Sequence, residues 1–305
     1  MKQKLTFLRG FPAAGKTTFA KRFIEENPDY VLFSADDVRK ELYGSQDKYG
    51  NPKEIYDVLV RKMRESLKDG KSVLYDAVNI RRDYRTDFMR DIFDDNNAIY
   101  GELFSCDFEK NLITIPTCKE VCIERHLNRG RNIPIEDLIP YFSLADNPEP
   151  CEGWDNIWTA CSMAYVASPF FLDAEREVAI KAAEILRKKG IETYLPLEHK
   201  VKDAWDLPNY KWGEEVFKAD VKAINRSDTV VVISYGRKAT AGTSWEAGYA
   251  YGAGKRVIVV TMPHVELMSI MVANGRYATV KGLDGLDSYD FIRMPIVYDN
   301  ETEQK

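Results

Sequence analysis

Eight residues near the amino terminus constrain this chain more than any others. Gly10-Phe11-Pro12-Ala13-Ala14-Gly15-Lys16-Thr17 follows an apolar run at residues 5–8 and precedes a helical pattern at residues 18–26. A strand, then GxxxxGKT, then a helix is the context of a phosphate-binding loop. Its glycines let backbone N–H groups turn inward around phosphate oxygens, and the helix amino terminus adds the positive end of its dipole. Lys16 supplies a mobile cation for β and γ phosphates, and Thr17 a hydroxyl for a metal ion. The expected nucleotide-binding residues are therefore Gly10, Ala13, Ala14, Gly15, Lys16, Thr17 and Thr18, and the expected cofactors are ATP and Mg²⁺. A structural glycine turn is the alternative.

The pattern around this loop alternates. Apolar strand-like runs at residues 30–33 and 72–75 are separated by helical patterns at 54–68 and 82–93. Such βα alternation predicts a parallel sheet covered by helices, which binds ligands at the carboxyl ends of its strands. Breakers cluster from Asp146 to Gly153, and 154–159 has room for a last edge strand. The alternation then restarts, with strands at 163–167, 191–195, 229–234 and 257–261 and helices at 173–189, 213–223 and 244–254. This predicts two α/β domains, 1–162 and 163–305, and the resemblances that their motifs carry imply a P-loop kinase-type parallel sheet with helices on both faces for the first and a flavodoxin-like α/β sandwich for the second. The phosphate loop has no counterpart in the second half, and residues 300–305 read as a frayed tail.

Composition narrows the function classes. A length of 305 residues suits two domains, and a net charge of −5 with interspersed signs argues against coating nucleic acid by bulk charge. A local basic channel stays open. No apolar run approaches a membrane span, and the first residues read as a strand, so a cytoplasmic protein with no membrane partner is expected. Five cysteines without framework spacing fit reduced thiols. Cys118 and Cys122 lack partners at zinc-site spacing and read as helix packing, and His126, His199 and His264 as surface or packing residues.

Three segments bear on what the phosphate loop serves. Ser34-Ala35-Asp36-Asp37-Val38-Arg39 follows the second strand and would set carboxylates facing the phosphates; Asp36 can accept a hydroxyl proton, while one of the two aspartates would cap the helix behind it. Tyr75-Asp76-Ala77-Val78-Asn79 ends the next strand at the same face. Glu124-Arg125-His126-Leu127-Asn128-Arg129-Gly130-Arg131 has the texture of a lid closing on polyphosphate, or of an exposed basic helix end. Together, over residues 1–160, these segments resemble phage-type 5′-hydroxyl polynucleotide kinases. The resemblance implies Lys16 and Asp36 as catalytic residues, Asp36 being the general base. It implies Arg39, Asp76 and Asn79 at the acceptor site, and Arg125 and Arg129 clamping the nucleotide.

The second half centres on Gly242-Thr243-Ser244-Trp245-Glu246-Ala247-Gly248-Tyr249-Ala250, where Glu246 is expected in the first turn of a helix after a strand. With Tyr165 on the first strand and Asp220 on a middle helix, this resembles nucleoside 2-deoxyribosyltransferases. That resemblance implies Glu246 as nucleophile on the deoxyribosyl C1′, Asp220 as proton donor to the departing base and Tyr165 as the residue orienting Glu246. Phe170, Phe171, Gly242, Thr243 and Met268 would complete the deoxynucleoside site; Phe170, Phe171 and Trp245 could equally pack. Thr240 and Glu266 stand where the family carries other residues for the sugar 5′ end, so an altered reading of that end is expected. The resemblance also implies a homo-oligomer through the second domain. The expected partners are nucleosides and free bases, with 5′-hydroxyl DNA or RNA ends as another acceptor. The reading is a bifunctional enzyme, a 5′-hydroxyl kinase joined to a 2-deoxyribosyltransferase. The alternative is a nucleotide-gated sensor or defence protein whose second domain hydrolyses the N-glycosidic bond.

Overall fold

The computed structural model describes residues 2–48, 50–93, 108–130, 134–199, 208–236, 241–263 and 268–298. It divides into two units, Met1–Ala160 and Cys161–Lys305.

In the first unit, β1 (Lys4–Arg9) runs into the phosphate loop and α1 (Lys16–Glu26). Then follow β2 (Tyr30–Ser34), α2 (Ala35–Tyr43), α3 (Pro52–Lys68), β3 (Ser72–Asp76), α4 (Arg82–Phe93), β4 (Glu109–Thr114), α5 (Lys119–Asn128), α6 (Ile139–Ser143) and β5 (Asn156–Thr159). The strands form one parallel sheet in the order β2-β3-β1-β4-β5. Its strands are apolar on both faces because helices cover both. Leu5, Phe7, Val73, Tyr75 and Leu112 face α3 and α4, where Phe7 meets the rings of Tyr75, Phe88 and Trp154 edge-on.

Two features differ from the sequence expectation. β4 lies beside the phosphate-loop strand, yet its Glu109-Lys110-Asn111 opening hides it among polar residues. And α2 is capped by neither aspartate: Ser34 is the cap, its Oγ accepting from Asp37 N at 3.1 Å and donating to Asp37 Oδ2 at 2.6 Å. Asp36 pairs instead with Arg39, whose Nη1 donates to Oδ1 at 2.7 Å.

The second unit contains β6 (Met163–Ala167), α7 (Asp173–Lys188), β7 (Glu192–Tyr194), α8 (Asn209–Arg226), β8 (Thr229–Ser234), α9 (Ala241–Gly252), β9 (Arg256–Thr261), α10 (Ile270–Gly275), β10 (Ala278–Lys281) and α11 (Gly282–Ser288). Its parallel sheet has the order β10-β9-β8-β6-β7, the flavodoxin-like winding. The period of two sorts the strands onto two cores. Ala164, Val166, Val231 and Ile233 face α7 and α11. Tyr165, Ala167, Val230 and Val232 face α8 and α9. That alternation sends Tyr165 toward the helices carrying Asp220 and Glu246.

Candidate functional site

The phosphate loop is built by close approach as much as by backbone freedom. A Cβ on Gly10 would stand 2.9 Å from the carbonyl oxygen of Ile115, just past β4, so the backbone there admits only glycine. Gly15 takes φ 99° and Ala13 φ 62°, left-handed values that turn successive N–H groups into one concavity. Lys16 Nζ donates to the carbonyls of Gly10 and Phe11, both at 2.9 Å. Burial lowers this ammonium to about 8, against the opposing pull of the Asp76 and Asp36 carboxylates. Thr17 Oγ1 donates to Asp76 Oδ2 at 2.7 Å. Burial raises Asp76, and the hydrogen bond from Thr17 and the charge of Lys16 partly offset it. A threonine hydroxyl against a strand-end carboxylate is a donor set that fits Mg²⁺, and the loop's N–H groups fit phosphate. Asp76, at the end of β3, thus meets the Thr17 hydroxyl of the loop, a contact across 59 positions that the sequence does not display.

Asp36 and Arg39 form an ion pair, with Nη1 2.7 Å from Oδ1, on the first turns of α2. Both lie at the same strand ends as Lys16. Asn79 was expected to offer its amide at that face, but it turns inward. With φ 46°, it donates from Nδ2 to the Leu8 carbonyl at 2.8 Å, and its own carbonyl accepts from buried Arg85 at 3.0 Å. These contacts tie the loop after β3 to β1 and α4. Arg125 points from α5 at the phosphate loop, Nη1 donating to Ala14 O at 3.2 Å, and Arg129 is near enough for its charge to act on Lys16. Arg131 lies outside the described residues. Cys122 is buried with its Sγ on the Thr117 carbonyl, and His126 is buried too. Among the described residues, no group of three His, Cys, Asp or Glu side chains is placed to hold a metal ion.

In the second unit, Tyr165 Oη donates to Glu246 Oε1 at 2.7 Å. Glu246 is the sixth residue of α9, one turn deeper than expected. It is therefore removed from the helix end whose dipole would otherwise account for it. Burial raises Glu246 to about 7; the hydrogen bond from Tyr165 works against this and the charge of Asp220 with it. Burial raises Asp220 to about 6. Tyr165 is pushed far up, first by burial, then by the charges of Glu246 and Asp220. Three groups on three elements thus share one electrostatic environment at the open end of the sheet.

Thr243 and Met268, both buried, line a small cleft with Ser234, Ser244 and Ser269 at the end of β8. Gly242 is exposed on the first turn of α9. Phe170 is half-buried and Phe171 is 73% exposed, their rings 6.2 Å apart. Trp245 packs on the outer surface of α8 and α9, against Phe217 and Tyr249. Thr240, Glu266 and His264 lie outside the described residues. One residue near the site, Tyr194, escaped the sequence reading, and His199, read as a surface or packing residue, packs on it. Tyr194 is the register partner of Tyr165 and stacks on it at 5.6 Å, and His199 stacks on Tyr194 at 4.0 Å. Only the strand pairing brings them there, though a second tyrosine ending the next strand was a usable signal.

Comparison with known proteins follows this division. Residues 5–137 match the AAA domain family, and residues 164–280 match the nucleoside 2-deoxyribosyltransferase family. An L-seryl-tRNA(Sec) kinase of Methanococcus maripaludis is 27% identical over 160 residues, 50% of this chain and 56% of that protein. The chain thus spans little more than half the length of that relative. A 2-deoxyribosyltransferase structure from Bacillus psychrosaccharolyticus is 28% identical, covering 45% of this chain and 98% of its own, with TM-score 0.40. A fungal RNA kinase structure is 14% identical, covering 72% and 96%, with TM-score 0.39. No described helix is long and apolar enough to cross a membrane.

Proposed function

From a chain that joins a P-loop kinase-type domain to a nucleoside 2-deoxyribosyltransferase domain, we propose a bifunctional enzyme of nucleotide or nucleic-acid metabolism. It phosphorylates a 5′-hydroxyl with ATP and exchanges the base of a 2-deoxynucleoside. The observation that carries the reading is that each unit gathers its reactive side chains at the carboxyl ends of its own parallel sheet.

In the first unit, the loop N–H groups and Lys16 hold the terminal phosphates, with Arg125 and Arg129 closing from α5. Asp36, oriented by Arg39, takes the proton of the acceptor hydroxyl as its oxygen attacks the γ phosphorus and the bond to the β–γ bridging oxygen breaks. Thr17 and Asp76 would hold Mg²⁺, which neutralises phosphate charge when bound.

In the second unit, Glu246 attacks C1′ and the C–N bond to the base breaks, the base leaving with the Asp220 proton. An incoming base then displaces Glu246 and returns a proton to Asp220, with net retention at C1′. Tyr165 holds Glu246 in line throughout. Phe170, Phe171, Thr243 and Met268 flank the deoxynucleoside. The second unit is also read as the seat of a homo-oligomer.

Incubation with ATP–Mg²⁺, a deoxynucleoside, a free base and a 5′-hydroxyl oligonucleotide, with every product identified by mass, tests both reactions. Glu246→Ala is expected to lower base exchange at least about a thousandfold while leaving ATP-dependent phosphorylation intact. Full exchange by that variant would remove Glu246 as nucleophile. Free base and free sugar as the products would make the second unit a hydrolase.

A further inference from the structure

One aromatic cluster beside the phosphate loop has no part in the chemistry above. Phe11, inside the loop, packs against Phe142 of α6, their ring centroids 4.7 Å apart at 57°. Lys119 Nζ stands 5.4 Å from the centre of the Phe142 ring. Neither ring is a core residue: both are half-buried, and Lys119 is exposed. The cluster is therefore a half-buried aromatic pair with a cation over one ring, a combination that binds nucleobases by stacking and cation–π contact.

Two observations fix which end of the nucleotide it serves. Lys16 Nζ rests on the carbonyls of Gly10 and Phe11, and this lysine is the one that meets the terminal phosphates. Phe11 thus lies at the γ-phosphate end of the loop, and the donor's own base must lie a triphosphate's length away. The segment that carries Phe142 is also tied to the loop after β3. Asp146 N donates to Ile80 O at 2.9 Å, and Asp146 Oδ2 accepts from Arg82 N at 3.0 Å. That loop follows Asp76, and β3 lies between β1 and the strand that leads to Asp36.

We infer that Phe11, Phe142 and Lys119 form a stacking platform for the nucleobase of the phosphoryl acceptor. The inference rests on the kinase reading of the first unit and adds a requirement to it: the acceptor carries a base next to its reacting hydroxyl. That base belongs to a free nucleoside or to the terminal nucleotide of a nucleic acid.

Steady-state phosphorylation by the full chain tests this with three acceptors: a deoxynucleoside, a 5′-hydroxyl oligonucleotide, and the same oligonucleotide with an abasic 5′ end. The base-bearing end is expected to have a KM about tenfold below that of the abasic end. Phe142→Leu should erase that difference while KM for ATP stays within about twofold, and Phe142→Tyr should keep it. The melting temperature of each variant separates loss of folding from loss of stacking. The base-bearing acceptor with the lower KM identifies the source of the base. Equal use of abasic and base-bearing ends by the wild type would overturn the platform and leave the kinase reading standing. So would a rise in KM for ATP alone in Phe142→Leu, or no change in either. ATP turnover with no hydroxyl phosphorylated would remove the kinase reading, and the platform with it.

Discussion

Burial holds the Glu246 proton more tightly in the folded chain than in the unfolded one, since its value rises from 4.5 to about 7. The stability contributed by that proton is complete below the unfolded value and is lost as pH rises through the folded one. Glu246→Gln, neutral at all pH, should therefore stabilise the second unit at pH 8 by about 2 kcal/mol, after allowance for water at its rim, and hardly at all at pH 4. Calorimetric melts at both pH values check this; an equal gain at both would contradict it. Asp36 invites a different test, because its carboxylate is held by Arg39 at 2.7 Å rather than spent on a helix cap. Asp36→Asn is expected to slow phosphoryl transfer by about 10²- to 10⁴-fold with ATP binding unchanged. A single-turnover assay with a parallel nucleotide titration would show it. The sequence carried both side chains as candidates. It could not show that Ser34 relieves Asp36 of capping, because a Ser and two Asp in a row are equally good caps by type.

At the scale of elements, the loop after β3 depends on a buried ion pair. Arg85 of α4 makes two hydrogen bonds to Glu152, from Nε at 2.7 Å and Nη2 at 2.6 Å, and a third to the Asn79 carbonyl. Burial pushes Glu152 up, but the hydrogen bonds from Arg85 and Trp154 outweigh it and hold the carboxyl below its usual range. Arg85→Met leaves that buried carboxylate with the more distant Arg82 guanidinium, at 3.5 Å, and the Trp154 N–H, which should cost about 3 kcal/mol in urea unfolding. Arg85→Met with Glu152→Leu should recover most of the loss; a double variant as unstable as the single one would show that packing, not charge, is at stake. None of this was legible in the sequence. Arg85 and Glu152 are separated by 67 positions, and Glu152 stood in a stretch read only as breakers.

At the scale of the molecule, two sheets with separate cores predict two calorimetric transitions, one for each unit. Residues 1–160 expressed alone should keep ATP-dependent phosphorylation. On the proposed reading, residues 161–305 should carry out base exchange and, by sedimentation, self-associate as the full chain is expected to. One merged transition together with inactive fragments would show that neither unit is stable without the other.

The sequence by itself determined the phosphate loop and the two rounds of strand and helix; Tyr165, Asp220 and Glu246 came together only through a family resemblance. The loop and the alternation are local properties: backbone periodicity and a loop whose geometry only certain residues allow. Tertiary structure decided which side chains meet. Thr17 finds Asp76 across 59 positions and Tyr165 finds Glu246 across 81, because parallel strands bring distant segments to a common end. Asn79 turned inward for a related reason, since a left-handed residue beside the phosphate loop had a backbone carbonyl to satisfy before it could face a ligand. Strand order and register, set by which apolar faces the helices cover, fix those meetings; no run of residues read singly contains them.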